Sequence, residues 1–195
     1  ELGVYGRAFF YMIEHGPQLL PGGMDHFITR GHPLFFSFFV SSISLLLGGS
    51  FVAARVVILI LSLALLLSTY SLAKEFTDKK WALITATCLA FQPLFFAQST
   101  LILPEILLSL LGSLCLWSYL KNKYFIYFIA ATLLVLTKET SVVIFAGIAL
   151  YEWYKNHFKL SRPLIQKIIK WSFPSVFFLA FLGIQKYQCG YFLYP

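Results

Sequence analysis

The acidic residues of this chain are few enough to be weighed one by one for chemistry. The 195 residues include 8 Asp and Glu against 15 Lys and Arg. Glu105 follows Pro104 at the start of an apolar segment, where a carboxylate either stabilises the helix dipole or acts as a base facing a cavity. Lys138 and Glu139 interrupt another apolar run. Ionisable residues within membrane segments are candidates for function unless they snorkel to the interface.

The amino-terminal residues offer less defined sites. His32 precedes Pro33 at the expected start of a helix, where it either contributes to an anion site or is an interfacial histidine without a role. Glu14-His15 and Asp25-His26 do not match the ligand spacing of a defined metal site. The sequence contains no glycine-rich phosphate loop and no Walker motif. The residues themselves therefore leave a metal requirement open.

The composition indicates a membrane protein. Hydrophobic residues make up 59% of the chain and charged residues 12%, whereas soluble domains carry about 25% charged residues. The apolar residues fall in blocks of helix-spanning length, which predicts an all-α, polytopic transmembrane helical bundle rather than a β-barrel. The formal charge of +7 comes from short loops between these blocks. It therefore describes topology, and we expect no nucleic-acid partner.

Three regions follow one another along the chain. Residues 1–33 form a loop with an amphipathic helix that Gly16-Pro17 ends. Residues 34–50 are short for a span and carry serines on one face, which favours a juxtamembrane or half-inserted helix over a crossing one. Residues 51–192 contain about six membrane segments, at approximately 51–73, 81–97, 103–120, 124–137, 139–154 and 171–192. Both ends look like cuts, so we expect the chain to be part of a longer protein.

Basic residues cluster in alternate loops, at residues 74–80, 121–123 and 155–170. The turn at residues 98–104 contains no Lys or Arg. The positive-inside rule therefore places the three basic loops in the cytoplasm and places Glu105 and Lys138 on the opposite side. If residues 34–50 do not cross the membrane, the first loop lies on that opposite side as well.

Four local patterns, taken in order, resemble one enzyme family. They are Glu1 to Arg7 at the start of the amphipathic helix, Gly31-His32-Pro33-Leu34, the stretch from Pro93 through Gln98 to Glu105, and Leu136-Thr137-Lys138-Glu139-Thr140. They are similar to the integral-membrane GT-C glycosyltransferases, in particular the bacterial relatives of dolichyl-phosphate-mannose protein mannosyltransferases and lipid A aminoarabinose transferases. Two departures matter: Glu105 stands where the family usually has Asp, and the family's first-loop Asp would lie at or before Glu1.

The resemblance implies a GT-C-like fold and a sugar transfer from a polyprenyl-phosphate donor to a hydroxyl or amine of a lipid, glycan or protein acceptor. The reaction would occur with inversion, on the extracytoplasmic side of the bacterial plasma (inner) membrane. Glu1 and Glu105 would be catalytic, and the substrate-binding residues would be Tyr5, Arg7, His32, Lys138 and Glu139. A divalent metal could hold the phosphate but is not required. The alternative is a transporter or channel for a small polar or lipid-linked substrate, with the same residues lining its pathway.

Overall fold

The computed structural model describes residues 2–22, 24, 28 and 31–192. These residues form ten α-helices and no β-strand, so the all-α class is confirmed. The helices are α1 (Leu2–His15), α2 (Phe35–Leu46), α3 (Phe51–Ala73), α4 (Lys79–Ala90), α5 (Pro93–Thr100), α6 (Glu105–Leu120), α7 (Tyr124–Val135), α8 (Val143–Lys155), α9 (Arg162–Ser172) and α10 (Ser175–Cys189). A short 3₁₀ helix, Glu139–Val142, lies between α7 and α8.

Local sequence signals set several helix ends. Ser50 precedes α3, and its hydroxyl accepts a hydrogen bond from the N–H of Ala53 at 3.1 Å. Asp78 caps α4 in the same way through the N–H of Trp81 at 2.9 Å. These side chains satisfy backbone donors that have no partner within the helix. Gly16, with a φ of +94°, follows α1 directly and takes the left-handed conformation that ends a helix.

Two pairs of helices are sharply bent. Helices α4 and α5 meet at 63°, so the expected segment 81–97 is divided before Pro93, and α9 and α10 meet at 53°. Proline cannot donate a backbone hydrogen bond and clashes with the preceding turn, which accounts for a break just before it. In the part of the chain that the structure describes, α3 alone is long and apolar enough to cross a membrane. The number rises to at most three if each bent pair counts as one span.

The centre of the bundle is formed by α3, α6 and α7. Small side chains at their contacts include Ala54, Cys115 and Ala131, each with no exposed surface. Small residues let membrane helices approach closely, and polar side chains can then bond between them. The hydroxyls of Ser68 in α3 and Ser113 in α6 lie 2.9 Å apart and form such a bond. This bond and the ion pair between Glu75 and Lys121, which follow α3 and α6, show that the two helices run side by side in the same direction.

One acidic residue marks each end of these central helices. Lys121 and Glu75, which follow α6 and α3, are 2.6 Å apart at one end, here called the Glu75 end. Glu105 begins α6 at the other end, here called the Glu105 end. The first residue of α2, Phe35, donates its N–H to the carbonyl of Leu136 at 3.1 Å, close in sequence to the end of α7.

The serine-bearing face of α2 packs against neighbouring protein rather than lining an open cavity. Ser37, Ser41 and Ser44 are buried. The Ser41 hydroxyl lies 3.5 Å from the sulfur of Met12 in α1, and it also donates to the carbonyl of Phe38. Helix α2 is therefore fixed against α1 on one side and, through Phe35, against the turn after α7.

Candidate functional site

The turn after α7 directs two neighbouring charged side chains to different partners. Lys138 has an extended backbone, with φ −157° and ψ 136°, and Glu139 begins the 3₁₀ helix that follows. Successive side chains of an extended backbone point to opposite sides, so these two diverge. Ser141 fixes this conformation, because both its N–H and its hydroxyl donate to the carbonyl of Lys138, at 3.1 and 2.6 Å.

Lys138 reaches the first residue of α6. Its ammonium donates to Oε1 of Glu105 at 3.1 Å, and the two side chains are only 24% and 27% exposed. The structure therefore brings Glu105 and Lys138 into direct contact, and their roles stay predictions. The second carboxylate oxygen of Glu105, Oε2, is buried and has no hydrogen-bond partner among the described residues. A buried acceptor without a donor is costly. This oxygen is therefore suited to receive a hydroxyl or amine proton, or to bind a cation.

Glu139 pairs with His32, which lies 107 residues away in sequence. Nδ1 of His32 donates to Oε2 of Glu139 at 3.1 Å. This hydrogen bond lowers the pKa of Glu139 against the opposing effect of burial. Tyr5 of α1 stacks on the imidazole with ring centroids 5.9 Å apart, and its ring also meets Phe36 edge-on. His32, Glu139 and Tyr5 thus form one contact set.

The Glu105–Lys138 ion pair and the His32–Glu139 hydrogen bond belong to one structural unit. Lys138 and Glu139 share the same turn, and the backbone bond from Phe35 to Leu136 fixes the end of the His32 segment to that turn. Residues from four separate parts of the sequence therefore meet at the Glu105 end. Among the sequence-predicted residues, the structure brings together Tyr5, His32, Glu105, Lys138 and Glu139.

One other predicted site residue, Arg7, does not join this cluster. Arg7 is exposed, and the hydrogen bond given for its side chain runs from Nε to the carbonyl of Gly3, at 2.6 Å within α1. Glu1 lies outside the described residues. Within residues 2–22, 24, 28 and 31–192, no group of three or more His, Cys, Asp and Glu side chains could hold a metal ion.

A groove of about 320 Å³ with both apolar and uncharged polar walls lies beside α6, the helix that Glu105 begins. Ser109 and Ser113 line it and follow Glu105 at intervals of four residues, so all three lie on one face of the helix. Gln92, at the bend between α4 and α5, and Gln98 of α5 also line the groove. The groove offers uncharged donors and acceptors between membrane helices, a chemistry that suits hydroxyl-rich ligands.

A second polar cluster, which sequence reasoning missed, lies at the Glu75 end. Glu152 of α8 is 4% exposed, and its carboxylate accepts hydrogen bonds from the hydroxyl of Tyr119 and from the ammonium of Lys167, the latter at 2.8 Å. The signal was a single Glu inside the apolar run of α8, because an ionisable residue there needs a partner. These contacts attach α8 to α6 and α9.

The family model of dolichyl-phosphate-mannose-protein mannosyltransferases matches residues 31–184. The chain belongs to this mannosyltransferase family. No curated protein and no solved structure gives a significant match. The match includes His32, Glu105, Lys138 and Glu139 and lies beyond Tyr5. Family membership and the apolar helices make this protein an integral membrane glycosyltransferase.

Proposed function

We propose that this glycosyltransferase moves a sugar from a polyprenyl-phosphate donor to an acceptor hydroxyl or amine, with inversion at the anomeric carbon. The observation that carries the proposal is the Glu105–Lys138 pair, which supplies an acid–base group and a phosphate-binding cation 3.1 Å apart. The His32–Glu139 pair on the same turn holds the first loop beside it. A membrane enzyme that acts on a lipid phosphate needs this combination at the edge of the bilayer.

Each side chain has a role in a single displacement. The acceptor oxygen or nitrogen attacks the anomeric carbon, the bond from that carbon to the phosphate oxygen breaks, and the polyprenyl phosphate leaves with the bonding electrons. Glu105 takes the acceptor's proton through its buried Oε2 as general base. Lys138 stabilises the negative charge that develops on the phosphate. Direct displacement inverts the anomeric centre.

The remaining predicted residues surround this step. His32, Tyr5 and Glu139 position the first loop or contact the substrate, and the groove beside α6 receives sugar hydroxyls at Ser109 and Ser113. Arg7 would add positive charge from α1, and Glu1 or a residue before it would supply a further carboxylate. A divalent metal on the phosphate stays a prediction that chelation with EDTA tests directly.

The proposal places the reaction on the extracytoplasmic side of the bacterial plasma membrane. Three basic loops, at 74–80, 121–123 and 155–170, favour a cytoplasmic Glu75 end. The contact between Phe35 and Leu136 supports a juxtamembrane α2, since it holds the start of this helix at the Glu105 end. Lipid, glycan and protein acceptors all fit a site that faces away from the basic loops.

The test is sugar transfer by the full-length protein reconstituted with a labelled polyprenyl-phosphate sugar. We expect Lys138→Ala and Glu105→Gln each to lower the rate by about a hundredfold or more, as expected for loss of a phosphate cation or a general base. Glu75→Gln is the matched control, because it breaks a similar ion pair at the opposite end. Absence of transfer by the folded wild type, together with substrate flux across the membrane, would favour the transporter alternative.

A further inference from the structure

An apolar groove that is separate from the site described above lies between α3, α6 and α8. Its volume is about 360 Å³, and its walls come from α3 and the residues after it (Leu72 and Phe76), α6 (Leu116 and Leu120) and α8 (Ile144 and Gly147). Leu116 lies about 16 Å along α6 from Glu105, at about 1.5 Å per residue. The groove therefore opens toward the Glu75 end along α6, while Ile144 lines it at the beginning of α8. Phe76, at 70% exposed, presents much of its ring outward beside this opening.

Cations and tyrosine surround the groove at that end. Lys121 follows Leu120 directly, and it has one anionic partner in Glu75. Lys155 is exposed and follows Tyr151, a groove-lining residue, by one turn of α8. Tyrosine and lysine at the edge of an apolar surface are typical of the boundary between acyl chains and headgroups. The charge excess at this edge complements an anionic headgroup.

We propose that this groove binds one acyl chain of an anionic phospholipid from the leaflet at the Glu75 end, with the phosphate near Lys155. The polyprenyl chain of the donor is a poorer occupant, since the donor phosphate is assigned to Lys138 at the other end. The inference depends on the membrane location and not on the sugar-transfer step. It identifies a lipid site separate from the substrate site.

Gly147 makes the proposal sharply testable. A Cβ built on this residue meets no atom within 4 Å, so a larger side chain there extends into the groove without displacing the protein. Gly183 in α10 is also a helical glycine with no atom within 4 Å of a Cβ, and it does not line the groove. Gly147→Leu and Gly183→Leu are therefore a matched pair. Each replaces a helical glycine with leucine, but only Gly147→Leu fills the groove.

The experiment counts phospholipids retained by the full-length protein in native mass spectra after extraction from nanodiscs containing phosphatidylglycerol and phosphatidylcholine. We expect the wild type and Gly183→Leu to retain one phosphatidylglycerol that Gly147→Leu loses. Lys155→Gln should reduce the preference for phosphatidylglycerol by about fivefold, whereas Lys80→Gln, an exposed lysine that does not line the groove, should not. If Gly147→Leu does not fold, Leu116→Trp fills the groove from α6 instead.

Three outcomes would overturn the proposal. Equal retention by Gly147→Leu and the wild type would show that the lipid binds elsewhere. Displacement of the retained lipid by polyprenyl phosphate would assign the groove to the donor. A Lys155→Gln variant with unchanged lipid preference would remove the headgroup contact on which the choice of an anionic lipid rests.

Discussion

The Glu105–Lys138 pair can be tested as a unit with a double-mutant cycle of Glu105→Gln and Lys138→Met. At 3.1 Å, two unit charges attract each other by about 5 kcal/mol at an effective dielectric constant of about 20. Desolvation and side-chain ordering offset most of this attraction. The pair is about three-quarters buried, which places it between exposed pairs at about 1 kcal/mol and buried pairs whose loss costs about 3–5 kcal/mol. We therefore expect a coupling free energy of about 2 kcal/mol.

The two readouts of this cycle separate structure from catalysis. The free energy of unfolding should be measured in mixed micelles. The losses in the two single variants should add up to more than the loss in the double variant, because the double variant leaves no unpaired charge. Sugar transfer should behave differently: the double variant should be at least as inactive as either single one. Recovery of near-normal transfer in the double variant would refute the catalytic roles and leave a purely structural ion pair.

Three further predictions concern other parts of the molecule. The hydrogen bond from His32 lowers the pKa of Glu139, so the ionised Glu139 carboxylate stabilises the folded protein fully above about pH 4.3, and this contribution is lost as the pH falls through the lowered pKa. Glu139→Gln should abolish this acid-dependent loss of stability, as measured by thermal unfolding. In a cysteine-free background, a membrane-impermeant label should reach Lys79→Cys and Thr100→Cys from opposite sides, and labelling from one side would contradict the topology. Glu152→Gln should lower the free energy of unfolding by about 2 kcal/mol, since it leaves a half-exposed lysine without its carboxylate, while transfer per folded molecule stays unchanged.

The helical class could be predicted from the sequence because bilayer-length apolar blocks leave few alternatives. Gly16-Pro17 predicted the end of the first helix, since both residues act locally on the backbone. The division of segment 81–97 was not foreseen, although Pro93 was visible in the sequence. A proline within an apolar run is compatible with a modest kink or with a 63° bend, and the packing of neighbouring helices decides between them.

The candidate site was predictable in its residue types and only partly in its pairing. A buried carboxylate without a basic neighbour in the sequence needs a partner across the fold, and the sequence alone does not identify Lys138 as that partner. His32 was weighed as an anion-binding or interfacial residue, whereas the structure pairs it with Glu139. Sequence alone cannot select this partner, because the choice depends on how α2 meets the end of α7.

The extended backbone at Lys138 has a mechanistic consequence. Without substrate, Lys138 forms an ion pair with Glu105, and the Glu139 carboxylate accepts a hydrogen bond from His32, so each charge of this turn has a polar partner. Under the proposed function, an arriving phosphate would compete with Glu105 for the ammonium. As Lys138 moved toward the phosphate, the carboxylate would lose its counter-ion and could accept a proton from the attacking group. Binding of the donor would thus prepare the base, and His32 would keep the turn in place during the exchange.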